Sequence, residues 1–489
     1  MTSDPSGLRA LLFAFGTAGA LAGSTYLHPA LAGLRPWSPG DPLPVVAALL
    51  PRSEARVVEE VGGGLVVAEE LPVSPTVSAA SVDLAVGVTL PARPPGVATP
   101  LVDVEHRGMD GFYRALHRTT TGGGLARAAH YGDSTIAADG ISSTIRARLQ
   151  ARFGDGGPGY LSAGMDPRWN IRSDVAAGRH GEWETVSLLL GGGEGRYGYG
   201  GIVTTAAAEG YLTLTGPKVG DARVPMHHFE LWYQAGPEQG SWWASVDGKG
   251  AGSGSAAAAG AGDRWHVVDV PEGYSKVAFG ASGGAVTFYG AVMETKGPGV
   301  VWDALGVVGV GTRSFTQHGR RHLTSQIEHR KLDLLVVMLG GNEVGWPILG
   351  DGDGAGYAPY YVEALRRLRA GSPSAGCLVV TPVDQGTRDG GTPRTKPNLA
   401  RLVHVQRDVA AQEGCAFWDA TAAMGGDGAI VRWSGMRPPL AWSDLLHLSA
   451  AGQDIVGQLL ADAIEGGYDA WLAAGGMTRT ATAPFAPPP

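Results

Sequence analysis

The spacing of apolar residues changes twice along the chain, and its first part alternates helical and extended patterns. Apolar residues recur three or four positions apart in Met109–Leu116 and again in Ile141–Phe153, which predicts two amphipathic helices. The apolar run Leu125–Tyr131 lies between them and predicts a strand, which ends at Gly132-Asp133-Ser134. This alternation is typical of an α/β domain.

Between about residues 185 and 298, short apolar–polar alternations are separated by glycine-rich turns. Such spacing predicts an all-β sandwich of jelly-roll type. Residues 250–262, rich in Gly, Ala and Ser, are expected to form a low-complexity loop. The predicted strands are Val186–Leu190, Tyr211–Thr215, His228–Tyr233, Trp242–Val246, Trp265–Val270, Lys276–Phe279 and Val286–Tyr289.

After Gly299 the apolar runs become continuous, which is typical of parallel strands covered on both faces. The predicted strands are Val300–Val308, Leu332–Leu339, Cys377–Thr381 and Ala416–Trp418, and the predicted helices are Tyr360–Ala370, Leu399–Glu413 and about Ala450–Ile464. Strands alternating with helices predict a doubly wound parallel sheet. The β segment therefore interrupts an α/β domain after its first strand–helix unit.

Length and charge limit the class of protein. The 489 residues suffice for two or three domains, and a hydrophobic content of 44% supports packed cores. The net charge is −8, and no stripe of Lys and Arg follows any face, so no nucleic-acid partner is expected.

The two cysteines, Cys377 and Cys415, each begin a β-like run and are expected to be neighbours in the parallel sheet. They can be buried thiols or one disulfide, and buried thiols are favoured because free Cys is a common small core residue. The sequence contains no CxxC motif and no His/Cys cluster, so neither a metal nor another cofactor is expected.

The N-terminal segment has the pattern of a targeting signal. Arg9 precedes an apolar stretch, Ala10–Ala22, that is short for a membrane span, and Ala20–Ala22 and Ala30–Ala32 have small-x-small cleavage patterns. We expect a secretory signal peptide and a periplasmic or secreted protein. The alternative is an uncleaved anchor, so any membrane contact is expected through this segment only.

The serine of Gly132-Asp133-Ser134 stands where a strand leads into a helix, a position that exposes a nucleophilic hydroxyl at the positive helix end. Taken alone, the motif is weak and favours a helix N-cap, since Ser and Asp are common caps.

Two further motifs follow apolar runs. In Gly340-Gly341-Asn342-Glu343 the Asn342 amide can donate to an oxyanion, although Gly-Asn is also frequent in ordinary turns. Asp444 and His447, three residues apart, can form an Asp–His pair, although a surface Asp beside a capping His gives the same pattern. A backbone N–H of Gly309, which follows Val300–Val308, can complete an oxyanion hole. Their order at strand ends favours catalysis, since ligands bind at the carboxyl ends of parallel strands.

In these residues the chain resembles the SGNH/GDSL hydrolase family. The hallmark Ser, Gly, Asn and His match Ser134, Gly309, Asn342 and His447, and Asp444 matches the triad acid. The resemblance covers about residues 105–165 and 299–465, and is closest to envelope peptidoglycan O-acetylesterases whose hydrolase domain is interrupted by a carbohydrate-module-like β domain. The shared segments are Tyr131–Ser134, Arg152–Gly159, Gly340–Glu343, Met424–Gly426 and Asp444–Leu448.

The resemblance implies a three-layer α/β/α fold, a Ser134–His447–Asp444 triad and an oxyanion hole formed by Ser134, Gly309 and Asn342. The implied activity is removal of O-acetyl groups from a cell-envelope carbohydrate polymer, peptidoglycan or another polysaccharide. Glu343 replaces the Asp of the wider family's Gly-x-Asn-Asp but is similar to the Gly-x-Asn-Glu of this branch, and Thr135 replaces a His that often follows the serine. A polysaccharide O-acetyltransferase with the same triad, or a non-catalytic carbohydrate-binding envelope protein, remains an alternative.

Tryptophans near the motif loops are candidates for substrate binding, with core or lid packing as the alternative; they are Trp346, Trp433 and Trp442. In the β segment, about half of Trp232, Trp242, Trp243 and Trp265 are expected to face inward, because strand residues alternate between faces. The same alternation argues against a metal site at His227-His228.

The expected organisation has six segments. They are a signal peptide or anchor (1–32), a Pro/Gly/Ala-rich linker and N-terminal region (33–104), the first hydrolase part (105–184), the inserted β sandwich (185–298), the second hydrolase part (299–475) and a disordered tail (476–489).

Overall fold

The structure is a computed structural model that describes residues 58–61, 64–67, 96–165, 170–350, 352–388 and 391–485. The expected signal peptide or anchor and most of the expected linker lie outside these residues. Among the described helices, none is both long enough and apolar enough to cross a membrane.

The strands are β1 (Val58–Val61), β2 (Gly64–Val67), β3 (Leu125–Gly132), β4 (Gly159–Ser162), β5 (Ala176–His180), β6 (Trp183–Ser187), β7 (Ile202–Ala206), β8 (Tyr211–Thr215), β9 (Lys218–Val219), β10 (Ala222–Arg223), β11 (Met226–Ala235), β12 (Ser241–Val246), β13 (Lys249–Ser255), β14 (Gly262–Tyr274), β15 (Lys276–Ser282), β16 (Val286–Glu294), β17 (Gly299–Gly306), β18 (Leu334–Met338), β19 (Gly376–Val380), β20 (Gly386–Thr387), β21 (Arg394–Thr395) and β22 (Ala416–Trp418).

The α-helices are α1 (Asp110–Thr120), α2 (Ser134–Ala137), α3 (Gly140–Phe153), α4 (Arg320–Arg330), α5 (Pro347–Gly350), α6 (Ala358–Arg369), α7 (Leu399–Gln412), α8 (Ala420–Ala423), α9 (Ala429–Gly435) and α10 (Ala450–Ala473). Short 3-10 turns lie at Val104–His106, Thr312–Gln317, Gly341–Glu343 and Ala355–Tyr357.

A five-stranded parallel sheet with the order β17-β3-β18-β19-β22 forms the hydrolase core. Its strands are buried on both faces, which explains their continuous apolar sequences. In β18, Val336 packs into the core beneath α1, α3 and α10, whereas Val337 packs into the core beneath α4, α6 and α7. The predicted three-layer, doubly wound fold is confirmed. After β3 the chain adds β17 on one side of that strand and all later strands of this sheet on the other side. The crevice at the carboxyl ends of β3 and β18 is therefore the expected ligand site.

Apart from the short pair β9 and β10, the strands between α3 and β17 form two antiparallel sheets, one ordered β14-β11-β16-β7-β6 with β4 beside β16, the other β13-β12-β15-β8-β5. Side chains such as Phe229, Phe279 and Phe288 fill the space between them. The sandwich begins with β4 and β5, before the predicted boundary at residue 185. These strands were missed because β4 is four residues long and β5 carries no apolar–polar alternation.

The predicted loop at residues 250–262 instead contains the edge strand β13, paired with β12. Its alternation places glycines where large side chains approach. A Cβ at Gly252 would lie 2.2 Å from His266 Nε2, and a Cβ at Gly254 would lie 3.2 Å from Trp242. The period of two is therefore present in the glycines, which a hydrophobicity pattern does not register.

The six-stranded sheet of the sandwich is covered on its second face by the hydrolase core. Trp232 and Tyr289 are fully buried there with Leu305 and Leu323. Trp232 lies 5.3 Å from the Tyr160 ring and 5.0 Å from the His329 ring, measured between centroids. The sandwich and the parallel sheet thus share one apolar core.

Cys377 and Cys415 are neighbours in β19 and at the start of β22, as expected, but they form a disulfide rather than buried thiols. The two Cα atoms are 4.7 Å apart, within the range that a disulfide spans. The preference for thiols was wrong because sequence spacing fixes neither register nor side-chain direction.

Both expected flanking segments contact the hydrolase core. Val102 forms an isolated antiparallel bridge with Phe417, before the predicted domain start at 105. The final helix continues past Ile464 to Ala473, and the expected disordered tail, although exposed over residues 477–484, contacts the core at Phe485, whose ring lies under the Arg369 guanidinium at 3.7 Å. These Pro-, Ala- and Thr-rich segments lack a periodic pattern, so their packing is invisible in the sequence.

Candidate active site

Ser134 stands at the first position of α2, directly after β3. The Asp133 side chain accepts a hydrogen bond from the Thr135 N–H at 2.9 Å and so caps this helix. The capping role considered for Ser134 therefore belongs to Asp133, and the Ser134 hydroxyl is available for another partner. The short helix α2 packs closely against the end of β17, because a Cβ at Gly306 would lie only 2.0 Å from the Ala137 nitrogen.

The structure brings Ser134, His447 and Asp444 together across more than 300 residues of sequence. Ser134 Oγ lies 3.1 Å from His447 Nε2, and His447 Nδ1 lies 2.7 Å from Asp444 Oδ2. With its Nδ1 proton donated to Asp444, His447 presents an unprotonated Nε2 to the serine hydroxyl. This chain of hydrogen bonds is an arrangement in which a histidine can accept the proton of a serine hydroxyl.

The loop that carries the Asp–His pair is held by backbone hydrogen bonds. The second carboxylate oxygen of Asp444 accepts from the N–H groups of Leu446 (2.9 Å) and His447 (3.1 Å). Leu445, the residue after Asp444, adopts a left-handed conformation at φ 59°, and its carbonyl accepts a hydrogen bond from the Gly386 N–H at 2.7 Å. The orientation of the pair is thus fixed from both sides.

Electrostatics keep Asp444 ionised. Partial burial favours its neutral form, but the hydrogen bond and charge of His447, with the two backbone N–H donors, lower its pKa below the ordinary value. An ionised Asp444 stabilises the imidazolium that forms when His447 accepts the serine proton.

The candidate oxyanion donors lie on loops that touch one another. Gly309, half-exposed, takes a left-handed conformation at φ 78° just after β17. Asn342 follows β18 and donates one Nδ2 hydrogen to the Val310 carbonyl at 2.8 Å, which leaves the second amide hydrogen for a ligand. The Ser134 N–H, in the first turn of α2, has no intrahelical acceptor.

A further supporting loop, residues 381–396 after β19, was missed by sequence reasoning. Gln385 and Asp133 both approach Gly341, where a Cβ would lie 2.8 Å from Gln385 Nε2 and from Asp133 Oδ2. Arg388 donates to the Ser443 carbonyl at 2.8 Å. The strand-end rule that identified the other motifs applies here too, since Gln385 follows the apolar run of β19.

The candidate substrate-binding tryptophans divide. Trp433 is 1% exposed within the core, so its assignment to a cleft is wrong; a helix face packed inward explains its position. Trp346 and Trp442 are half-buried on the Asn342 and His447 loops. Trp346 packs edge-on against Tyr360, and the Arg313 guanidinium lies 5.5 Å from its ring centroid.

In the sandwich, Trp232 and Trp242 are buried, and Trp265 stacks on His329 at 4.2 Å, whereas Trp243 faces outward. The expected division between inward and outward faces is therefore present. His228 bonds Asp269 and Glu230, and the described residues contain no group of three side chains suited to a metal ion.

Part of this chain matches a known protein family. Residues 254–455 match the GDSL-like lipase/acylhydrolase family, a range that includes Gly309, Asn342, Asp444 and His447. Ser134 lies outside the matched range, because the β sandwich separates it from the other motifs. No curated protein matches the sequence of this chain.

Among solved structures, a peptidoglycan O-acetylesterase is similar over 76% of this chain and 99% of its own, with a TM-score of 0.63 and 22% identity. An acetylxylan esterase from Geobacillus stearothermophilus is 21% identical over 34% of this chain and 73% of its own, with a TM-score of 0.26. The first similarity establishes a common fold. The family match and this shared fold confirm that the chain resembles the SGNH/GDSL hydrolases, a family of carboxylic ester hydrolases.

Proposed function

We propose that this protein is a serine esterase that removes O-acetyl groups from a cell-envelope carbohydrate, peptidoglycan or another polysaccharide. The observation that carries the proposal is the continuous relay from Ser134 Oγ through His447 to Asp444. A carbohydrate-binding protein without activity has no need of this relay or of the donors beside it.

In the proposed reaction Ser134 Oγ attacks the acetyl carbonyl carbon while His447 Nε2 accepts the hydroxyl proton. The oxyanion accepts hydrogen bonds from the Ser134 and Gly309 N–H groups and the Asn342 amide. His447 then gives its proton to the departing sugar oxygen, leaving an acetyl-enzyme. A water molecule, deprotonated by His447, attacks this ester and releases acetate.

The disulfide supports a place outside the cytoplasm. Structural disulfides persist in oxidising compartments such as the periplasm and are rare among cytosolic proteins. The Cys377–Cys415 bond therefore fits a periplasmic or secreted enzyme, which would meet its polymer substrate there.

The test is covalent labelling with a fluorophosphonate, combined with acetate release from a small ester and from O-acetylated peptidoglycan. We expect the probe on Ser134, and a loss of ~10³-fold or more in kcat for Ser134→Ala. The matched control is Ser143→Ala, whose hydroxyl bonds only the Gly140 carbonyl in its own helix, and which should retain full activity.

Folded Ser134→Ala protein with more than a few per cent of the wild-type rate would remove the triad assignment. Label on Ser134 with acetyl transfer to added sugar, and little free acetate, would identify an O-acetyltransferase instead.

A further inference from the structure

Glu343, the residue after Asn342, is fully buried behind the candidate oxyanion hole. Its Oε1 accepts hydrogen bonds from the backbone N–H of Thr312 and, at 2.8 Å, from the Thr312 hydroxyl. Thr312 is itself fully buried and lies three residues after Gly309. Without Glu343, the Thr312 N–H would be a buried donor with a missing partner, which is costly.

Asn342 and Glu343 together fix the loop after β17 at two points. Asn342 holds the Val310 carbonyl at 2.8 Å, and Glu343 holds Thr312. The residue between, Gly311, leaves room for this contact, because a Cβ there would lie 2.5 Å from Glu343 Oε1. The position of the Gly309 N–H relative to the Asn342 amide is therefore set by two successive side chains of the β18 loop.

The electrostatic surroundings of Glu343 suit this position. Burial raises its pKa to about 7, the hydrogen bonds from Thr312 oppose the rise, and the charge of Asp133 adds to it. With a pKa of about 7, a substantial share of the Glu343 side chains is neutral, which reduces the negative charge behind an oxyanion, where such a charge would oppose catalysis.

We propose that Glu343 is a positioning residue that sets the geometry of the oxyanion hole by holding Thr312, and through it the loop of Gly309. The inference rests on the proposed function. Since Glu343 contacts the loop and not the substrate, an acceptor of the same length should replace it, while a truncated side chain should not.

The experiment compares Glu343→Gln and Glu343→Ala in kcat and KM for a small acetyl ester. Gln keeps the acceptor, so we expect kcat within about threefold of wild type. For Ala we expect kcat to fall roughly 30-fold with KM nearly unchanged, less than the ~10²–10³-fold cost of removing an oxyanion donor outright. The loss should shrink when Asn342→Ala is already present, because both act on one hole.

The matched control is Asp333→Ala. Asp333 precedes β18 at the opposite edge of the sheet, and its carboxylate also accepts a backbone N–H, that of Arg127 at 3.0 Å. The substitution Asp333→Ala should lower the free energy of unfolding without lowering kcat. Thr312→Val, which removes only the hydroxyl, is the second variant; we expect a fall in kcat of severalfold.

Unchanged kcat in folded Glu343→Ala, or equal losses in Glu343→Ala and Asp333→Ala, would overturn the inference. If Glu343→Ala does not fold, an unchanged kcat in Thr312→Val overturns it. Failure of the proposed function is a separate result, because it would appear as no Ser134-dependent hydrolysis by the wild-type protein.

Discussion

Two buried glutamates, one in each half of this molecule, have pKa values that depart from the ordinary value in opposite directions. Glu343 lies behind the catalytic edge, and burial raises its pKa to about 7. Glu294 lies in β16 between the sandwich and the parallel sheet, equally buried. There burial is outweighed by Arg330 and Arg127, which lower its pKa to about 2.

The contacts explain the difference. Glu294 accepts from Arg330 at 2.6 Å and from Arg127 at 2.9 and 2.7 Å. Arg330 also donates to both oxygens of the buried Asp303, at 2.7 and 3.0 Å, so charges between the two layers are compensated in pairs. Glu343 receives only neutral donors from Thr312. Cations therefore stabilise ionised carboxylates in the layer interface, whereas behind the candidate oxyanion hole no cation among the described residues opposes the effect of burial on the Glu343 pKa.

The largest effect on stability is expected from Arg330→Ala. Removing the guanidinium leaves Asp303 and Glu294 buried with a lost partner, which should lower the free energy of unfolding by about 3–5 kcal/mol. Urea denaturation measures this change. The matched control on the same helix is Arg320→Ala, whose ion pair with Glu363 is exposed and should contribute less than about 1 kcal/mol. Equal effects of the two variants would refute a special role for the interface charges.

At the catalytic edge, Asn342→Ala should act on rate and not on folding. The amide matters most once the oxyanion forms, so we expect kcat to fall ~10²–10³-fold, about 3–4 kcal/mol, while KM changes little. Steady-state kinetics on a small acetyl ester check this. A rise in KM at constant kcat would mean that Asn342 binds only the ground state of the substrate.

The two regions also differ in how far their sequences disclose them. Ser134 and Asn342 lie on short loops after β3 and β18, so both were visible as polar residues at strand ends. His447 was also expected at a strand end, but it lies between α9 and α10, and its signal in the sequence was its spacing from Asp444. The convergence of Ser134 and Asn342 follows from one rule, that parallel strands end at one edge of the sheet, whereas this rule does not place His447. Glu343 was seen only as part of a family motif, since the role proposed for it depends on contact with Thr312, 31 residues away.

The interface charges have no such local signature. Arg330 meets Asp303 and Glu294 from positions 27 and 36 residues away, and Arg127 meets Glu294 across 167 residues. Pairing of this kind depends on how the layers pack, and the disulfide of Cys377 depends on strand register and side-chain direction within one sheet. Sequence periodicity predicts the elements and the side they bury, but not which buried side chain meets which.

The opposite pKa shifts predict opposite pH dependences of stability. Glu343, with its pKa raised to about 7, keeps a proton that the unfolded chain loses above pH 4.5, so its contribution falls as pH rises from 4.5 to 7. Glu294, lowered to about 2, contributes stability above pH 4.5 that is lost as pH falls towards 2. At about 1.4 kcal/mol per pH unit, each window spans roughly 3 kcal/mol.

Urea titrations at several pH values measure these slopes. Glu343→Gln should remove the loss between pH 4.5 and 7 and leave the acid limb unchanged, whereas Glu294→Gln should flatten the acid limb only. Curves for both variants that run parallel to the wild type would show that neither glutamate carries the predicted shift.

The smallest effect concerns the outer face of the sandwich, where Trp243, Gly280, Tyr211 and His180 form one row across four strands. Tyr211 stacks on His180 at 4.3 Å and lies 5.9 Å from Trp243. The other tryptophans of the sandwich are engaged in its core or against the hydrolase, so Trp243 is the one best placed to contact a sugar.

Replacing the whole sandwich would expose the core it shares with the parallel sheet, so a single substitution separates binding from support. If this face holds polymer near the catalytic edge, Trp243→Ala should lower kcat/KM on O-acetylated peptidoglycan up to tenfold, about 1.4 kcal/mol, and leave turnover of a small ester unchanged. Trp183→Ala is the control, because that half-buried ring lies on the other sheet beneath Arg179. Equal rates on polymer for wild type and Trp243→Ala would limit the sandwich to support of the hydrolase sheet, through the interface that Glu294 and Arg330 stabilise.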